Sequence, residues 1–146
     1  MAETIPDWPL VTKGDDRFPV RPLQQLLRAR NHPVAVDGIF GPQTESAVKQ
    51  FQQSAGLAAD GQVGRLTWPK LIVQVRKGDT GDAVRRVQEV IQFHDQSGNP
   101  TNHVDGIFGP KTDNWVRGFQ DALGIAVDGI VGPITWRAMV NGLLSG

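Results

Sequence analysis

His94, Asp95, His103 and Asp105 come nearest to a reactive constellation in this chain. Imidazole nitrogens and carboxylates bind zinc, and a bound metal would supply a Lewis acid or an activated water. Their spacing does not match H-E-x-x-H, and His32, the remaining histidine, stands apart from them. Polar residues of a surface loop are the preferred reading. Four Asp-Gly pairs, at Asp37, Asp60, Asp105 and Asp128, raise the question of calcium. Each offers a single carboxylate, without the alternating Asp or Asn ligands and closing Glu of an EF-hand. Local turn hydrogen bonding accounts for them better. Nucleophilic and general acid–base chemistry fare no better. Cys and Tyr are absent, Glu occurs only at Glu3, Glu45 and Glu89, and the serines lie outside any nucleophile-elbow pattern. No catalytic residue, metal ligand or cofactor is expected.

The Asp-Gly pairs open a longer phrase that occurs four times, at 37–44, 60–67, 105–112 and 128–135. Each copy reads Asp-Gly, a variable residue, an apolar residue, Gly, two further residues and Thr. Asp accepts backbone N–H bonds within a tight turn, and the Gly after it tolerates positive φ. The apolar residue (Phe40, Val63, Phe108, Val131) is an inward anchor. The second Gly, followed by Pro at Pro42, Pro110 and Pro133, predicts a helix N-cap with a preorganised first residue. Within each half the phrases start 23 residues apart (37 to 60, 105 to 128), and the halves are offset by 68 (37 to 105). The offset also carries Phe51 onto Phe119, Gly56 onto Gly124 and Trp68 onto Trp136. This is an internal duplication.

The periodicity predicts three helices per half. Val20, Leu23, Leu26 and Leu27 share one face of a helix over about 20–30, which Asn31-His32-Pro33 stops. A second helix over about 42–55 buries Ala47, Val48, Phe51 and Ala55, and Gly56 with Leu57 predicts a Schellman-type stop. A short third helix carries Trp68 and Leu71, and Pro69 should make it shorter or later-starting than its counterpart. The second half repeats these over about 82–93, with Val84, Val87, Val90 and Ile91 inward, then 110–123 and 133–143. Its 95–102 stretch makes the first connection four residues longer than in the first half and reads as a surface loop. Residues 8–19 and 72–77 are equivalent extended lead-ins. The fold class is therefore all-α, two tandem three-helix repeats (1–75 and 76–146) joined by a short extended linker.

Composition agrees with a compact, turn-rich protein: 146 residues, 39% apolar, 17 Gly and 10 Pro. Repeats of about 65–70 residues bury modest cores and are expected to pack on each other. A formal net charge of zero argues against nucleic acid as a partner. No apolar run is long enough to span a membrane. The first residues lack the basic and apolar regions of a signal peptide, so export by that route requires a leader already removed.

Two sets of recurring residues leave alternatives open. Trp68 and Trp136 read as core, with a ligand-stacking edge as the alternative. Gln24, Gln52, Gln88 and Gln120 either satisfy loop backbone groups or line a polar groove. Trp115 stands where the first half has Ala47, and either fills the contact between halves or makes one groove differ.

Each half resembles the bacterial type-1 peptidoglycan-binding (PGBD-like) family. The resemblance rests on Val-x-x-Leu-Gln (Val20–Gln24, with Val87 for Leu in the second copy) and Val-Asp-Gly-x-Phe-Gly-x-x-Thr (Val36–Thr44, Val104–Thr112). It continues through Ala-Val-x-x-Phe-Gln (Ala47–Gln52) and Gly-Leu-x-x-Asp-Gly-x-Val-Gly-x-x-Thr-Trp (Gly56–Trp68, with Ile125 for Leu in the second copy). Departures are Trp115, Gly118 at the position of Gln50, and Pro69. The resemblance implies non-catalytic binding of a cell-wall polymer, through glycan strand or stem peptide, by an extracellular or wall-located monomer. It places the groove near the first turn phrase and neighbouring helix ends, around Asp37, Phe40, Gln52 and Trp68, then Asp105, Phe108, Trp115 and Trp136. A protein–protein assembly module is the alternative, as is a targeting region whose hydrolase domain lies elsewhere.

Overall fold

The computed structural model describes residues 5–92 and 104–142. Through them run α1 (Val20–Ala29), α2 (Pro42–Ser54), α3 (Trp68–Leu71), α4 (Asp82–Gln92), α5 (Pro110–Leu123) and α6 (Pro133–Val140). No sheet forms among the described residues. Extended segments meet in isolated antiparallel bridges, Val11 with Val63, Val75 with Val131 and Thr80 with Ile107. The all-α tandem architecture is as the duplication predicts, with α6 ending at Val140, short of 143.

The helix boundaries follow from local chemistry. Gly41, Gly109 and Gly132 are extended N-caps, each followed by Pro at the first helical position. Asn31, at φ 67°, ends α1, with His32 N–H donating to Leu27 O at 2.8 Å. Gly56 (φ 75°) ends α2, and Leu57 N–H donates to Gln52 O at 2.8 Å. These bonds are the Schellman closure. Pro69 has the expected effect. It cannot donate to Arg65, and α3 begins at Trp68, whereas α6 begins directly after Gly132.

The apolar stripes meet in one core. Val20, Leu23, Leu26 and Leu27 of α1, Val48 and Phe51 of α2, and Val84, Val87 and Val90 of α4 are all buried, while Ala55 is half-buried. Phe40, Val63, Phe108 and Val131 anchor the turn phrases in the same core. Each buried side chain of this kind contributes about 1.5–3 kcal/mol. The side chain of Ile91 and the 95–102 loop lie outside the description.

The halves pack through α1 and α4. Gln25 donates to Asp82 Oδ1 at 3.3 Å, and Arg28 approaches the same carboxylate at 3.6 Å. The lead-ins are structural elements of the halves they precede. Trp68 Nε1–H donates to Pro9 O at 2.7 Å, and Trp136 Nε1–H donates to Val73 O at 2.8 Å. The residue just before the first lead-in also reaches the second half, where Asn141 Nδ2 donates to Asp7 O at 3.0 Å.

Candidate functional site

One buried glutamine organises each turn phrase. Gln24 Nε2 lies 2.9 Å from Asp37 Oδ1, 3.1 Å from Ile39 O and 3.1 Å from Thr44 Oγ1. Its Oε1 accepts from Asp37 N–H at 3.1 Å and Gly38 N–H at 2.9 Å. Gln52 grips Asp60, Gln62 O, Thr67 and Gly61 N–H in the same way. Gln88 does so for Asp105, Ile107 O, Thr112 and Gly106 N–H, and Gln120 for Asp128, Ile130 O, Thr135 and Gly129 N–H. All these glutamines are buried, and their amides answer turn groups that would otherwise be unpaired. All four satisfy loop groups, and Gln88 and Gln120 also border clefts beside their phrases. The phrase Asp also accepts from the backbone N–H two residues on, as Asp37 Oδ1 does from Ile39 at 3.0 Å. That bond and the Gln24 amide hold the Asp37 carboxyl below its ordinary value. Asp128 is lowered likewise, first by Ile130 N–H. These carboxylates stay charged and serve the turn, a poor state for a proton donor.

Beside the first phrase of each half lies an equivalent shallow cleft. The first, of about 330 Å³, is lined by Ala35, Asp37, Ile39, Gly41, Pro42 and Gln43. The second, of about 300 Å³, is lined by Asp105, Ile107, Gly109, Pro110, Lys111 and Trp115. In both, the third residue of the phrase projects outward: Ile39 is 60% exposed and Ile107 55%. A third cleft of about 230 Å³ adjoins the last phrase, with Gln74, Ile125, Ile130 and Ile134 on its walls.

The candidate groove residues separate into two groups. Asp37 and Asp105 are exposed and Trp115 is half-buried, and each lines one of the first-phrase clefts. Trp115 therefore makes one cleft differ. Phe40, Gln52, Trp68, Phe108 and Trp136 are buried and present no surface to a ligand. Phe40 and Phe108 are the anchors beneath the clefts, Gln52 is committed to the 60–67 turn, and both indoles are sealed under the lead-ins. Asp105 has no metal-ligand group around it among the described residues, and His94, Asp95 and His103 lie outside them.

A family model described as "Putative peptidoglycan binding domain" matches residues 19–71 and again residues 80–139. The chain belongs to this peptidoglycan-binding family. It is similar to the N-acetylmuramoyl-L-alanine amidase CwlL of Bacillus licheniformis, 36% identical over 76% of this chain and 32% of the amidase. The N-acetylmuramoyl-L-alanine amidase CwlM of Mycobacterium tuberculosis is 36% identical over 80% of this chain and 30% of its own length. The zinc D-Ala-D-Ala carboxypeptidase of Streptomyces albus G is 34% identical over 80% of this chain and 43% of the carboxypeptidase. The chain thus spans between 30% and 43% of these relatives. A solved peptidoglycan-binding protein from Clostridioides difficile, in complex with glutamine hydroxamate, is similar at 38% identity and a TM-score of 0.43, over 43% of this chain and 40% of that one.

These peptidoglycan-binding domains point to a cell-wall setting, and no helix among the described residues is long and apolar enough to cross a membrane. Sequence reasoning passed over Ile39 and Ile107 as cleft residues. The signal was the third position of the phrase, which is Ile at 39, 107 and 130 although its neighbour already supplies the core anchor.

Proposed function

We propose that the chain binds peptidoglycan without catalysing any reaction on it, through the first-phrase cleft of each domain. The observation carrying this reading is the recurrence of one cleft at equivalent places, with an exposed Ile and a turn Asp on its wall. Apolar carbons of sugar or stem peptide pack on Ile39 or Ile107, while polar atoms meet the Asp carboxylate and the first turn of the following helix. Shallow sites of this size bury little ligand and bind weakly one at a time. A second site on the same chain meets the repetitive polymer at an effective concentration on the order of millimolar. The non-catalytic reading is supported by the cleft carboxylates, each of which accepts the backbone N–H two residues on and so serves its turn. The protein acts as a monomer outside the cell or in the wall, with neither nucleic acid nor membrane as a partner. A second reading, the wall-targeting part of a hydrolase, is favoured by the relatives, which are named as enzymes and extend well beyond the matched region.

The test is substitution at exposed positions that carry no core contact. Ile39→Glu and Ile107→Glu should each weaken retention on purified peptidoglycan about fivefold, the equivalent of roughly 1 kcal/mol of lost apolar contact. Together they should abolish it, with the melting temperature unchanged. Undiminished retention of the double variant would overturn the assignment of these clefts. Binding to a protein partner with no retention on the polymer would favour an assembly module.

A further inference from the structure

Three of the four turn phrases share a fuller spelling, Asp-Gly-Ile-x-Gly-Pro, beginning at Asp37, Asp105 and Asp128. A cleft lies beside each of these three. The remaining phrase, 60–67, has Gln62 and Arg65 at the Ile and Pro positions. The first two clefts carry the function proposed above, and the cleft of the last phrase, of about 230 Å³, has no part in it. Its walls are aliphatic: Ile125 and Ile130 are half-buried, Ile134 is 55% exposed, and Ala126 and Pro133 complete the surface. No aromatic or basic side chain lines it. Two polar side chains on its wall have open positions. Asp128 Oδ1 lies 2.9 Å from Gln120 Nε2 and accepts from the Ile130 N–H at 2.9 Å, with no bond to Oδ2 among the described residues. Gln74, exposed on the second lead-in, reaches the phrase, since a Cβ added at Gly132 would lie 3.3 Å from its Oε1. Its side-chain amide makes no hydrogen bond among the described residues. In the first half Leu10 takes the place of Gln74, with its Cδ1 3.4 Å from a Cβ added at Gly64, and Arg65 is paired with Asp7 at 2.5 Å.

A free carboxamide offers one donor and one acceptor, the pair that a backbone peptide group meets with its own C=O and N–H. The open Oδ2 of Asp128 accepts a further N–H. The three Ile side chains and Pro133 give apolar contact to small aliphatic side chains. A pyranose presents a flat C–H face that a flat aromatic ring matches best, and this cleft has none. A free carboxylate would meet Asp128 with no cation on the wall to answer it. The volume lies below the roughly 300–1,000 Å³ of a drug-sized ligand site, so only a short piece of chain fits. We propose that the cleft of the last phrase is a third binding site, for an internal peptide segment with small aliphatic side chains. Gln74 and Asp128 pair with its backbone amides. This rests on the peptidoglycan-binding reading, whose polymer carries such peptides, and adds a site outside the first-phrase clefts.

The test follows isotope-labelled isoleucine δ1-methyl groups of the full chain by NMR, so that each cleft reports through its own residue. Ile39 and Ile107 report the first-phrase clefts, and Ile130 with Ile134 the third. The probes are a soluble stem tetrapeptide with its C-terminus amidated, and chitotetraose. The tetrapeptide amide should shift Ile130 and Ile134 saturably, and chitotetraose should leave them in place. Gln74→Leu with Ile130→Gln installs the first-half residues Leu10 and Gln62. The double variant should bind the tetrapeptide amide about fivefold or more weaker as read at Ile134, as one lost hydrogen bond and one lost apolar contact imply. Its Ile39 and Ile107 responses should be unchanged. Gln74→Leu alone, at an exposed position, keeps the aliphatic walls and should account for part of the loss at an unchanged melting temperature. Equal shifts from chitotetraose, or undiminished affinity in both variants, would overturn the inference. Shifts at Ile39 and Ile107 alone would overturn it and leave the first-phrase clefts standing. Shifts at Ile130 and Ile134 alone would support it and contradict the first-phrase assignment. No shift at any of them, with no retention on the polymer, would contradict both.

Discussion

Gln24 holds Asp37 at both ends: its Oε1 accepts from the Asp37 N–H at 3.1 Å, and its Nε2 lies 2.9 Å from the Asp37 carboxylate. The same buried amide accepts from Gly38 N–H at 2.9 Å and sits 3.1 Å from Thr44 Oγ1, so one side chain on α1 fixes both the turn and the start of α2. The cleft wall formed by Ile39 and Pro42 follows from that grip.

Gln24→Glu tests it. The substitution removes the Nε2 donors and sets a buried carboxylate against Asp37 and the Ile39 carbonyl. At pH 7 the loss should be about 2–4 kcal/mol. Burial and the Asp37 charge raise the introduced acid in the folded state, so the deficit should narrow as pH falls toward 5. Urea unfolding at both pH values reads this out. A small loss independent of pH would mean that the hub contributes little.

The phrase glycines should separate by surroundings. Gly38 and Gly106 both have φ 78°, and Ala at either should destabilise by about 1–2 kcal/mol. Gly129→Ala, at φ 74°, should cost a similar amount plus at most a few tenths of a kcal/mol, because the added Cβ would push aside the flexible ends of Asp113 and Arg117 and disturb their partly exposed ion pair. Gly118, inside α5 with nothing within 4 Å of a Cβ, should gain about 0.5–1 kcal/mol as Ala. Chemical denaturation of the four variants provides the comparison, and a uniform effect would contradict it.

Acid should loosen the turns. Asp37 and Asp128 have depressed carboxyl values in the folded chain, as do Asp7 and Asp15. A carboxyl lowered on folding contributes stability above its unfolded value and loses that contribution as pH falls toward the folded one. Stability should therefore hold from neutral pH to about 5 and decline below about 4. A melting temperature that rises between pH 5 and 3 would contradict this.

Much of this was legible because duplication exposes local chemistry. The Gly-Pro helix starts, the Gly56 stop and the Pro69 defect in α3 each depend on neighbours in sequence, and the structure bears them out. Burial of the candidate groove residues was harder to read. Trp68 and Trp136 read as core with a stacking edge as the alternative, and that edge is lost because the lead-in carbonyls of Pro9 and Val73, distant in sequence, close over them. Phe40 and Phe108 lie beneath the clefts, one residue beyond the side chains that face outward. The role of Trp115 depends on which way α5 turns, which its spacing alone leaves open.

The packing of α1 on α4, with Asp82 shared by Gln25 and Arg28, predicts that the tandem unfolds as one unit. Calorimetry should show a single unfolding transition for the intact chain. Separate isolation of residues 1–75 and 76–146 would expose that contact and unseat Asn141 from Asp7. Two resolved transitions in the intact chain would contradict the shared core.

The most direct measurement is depletion of the intact chain from solution by increasing amounts of purified insoluble peptidoglycan, with release of soluble fragments followed in the same tubes. Saturable depletion without released fragments is the expected result. Protein that stays in the supernatant at every polymer concentration, or soluble muropeptides released by the chain itself, would contradict a non-catalytic peptidoglycan binder.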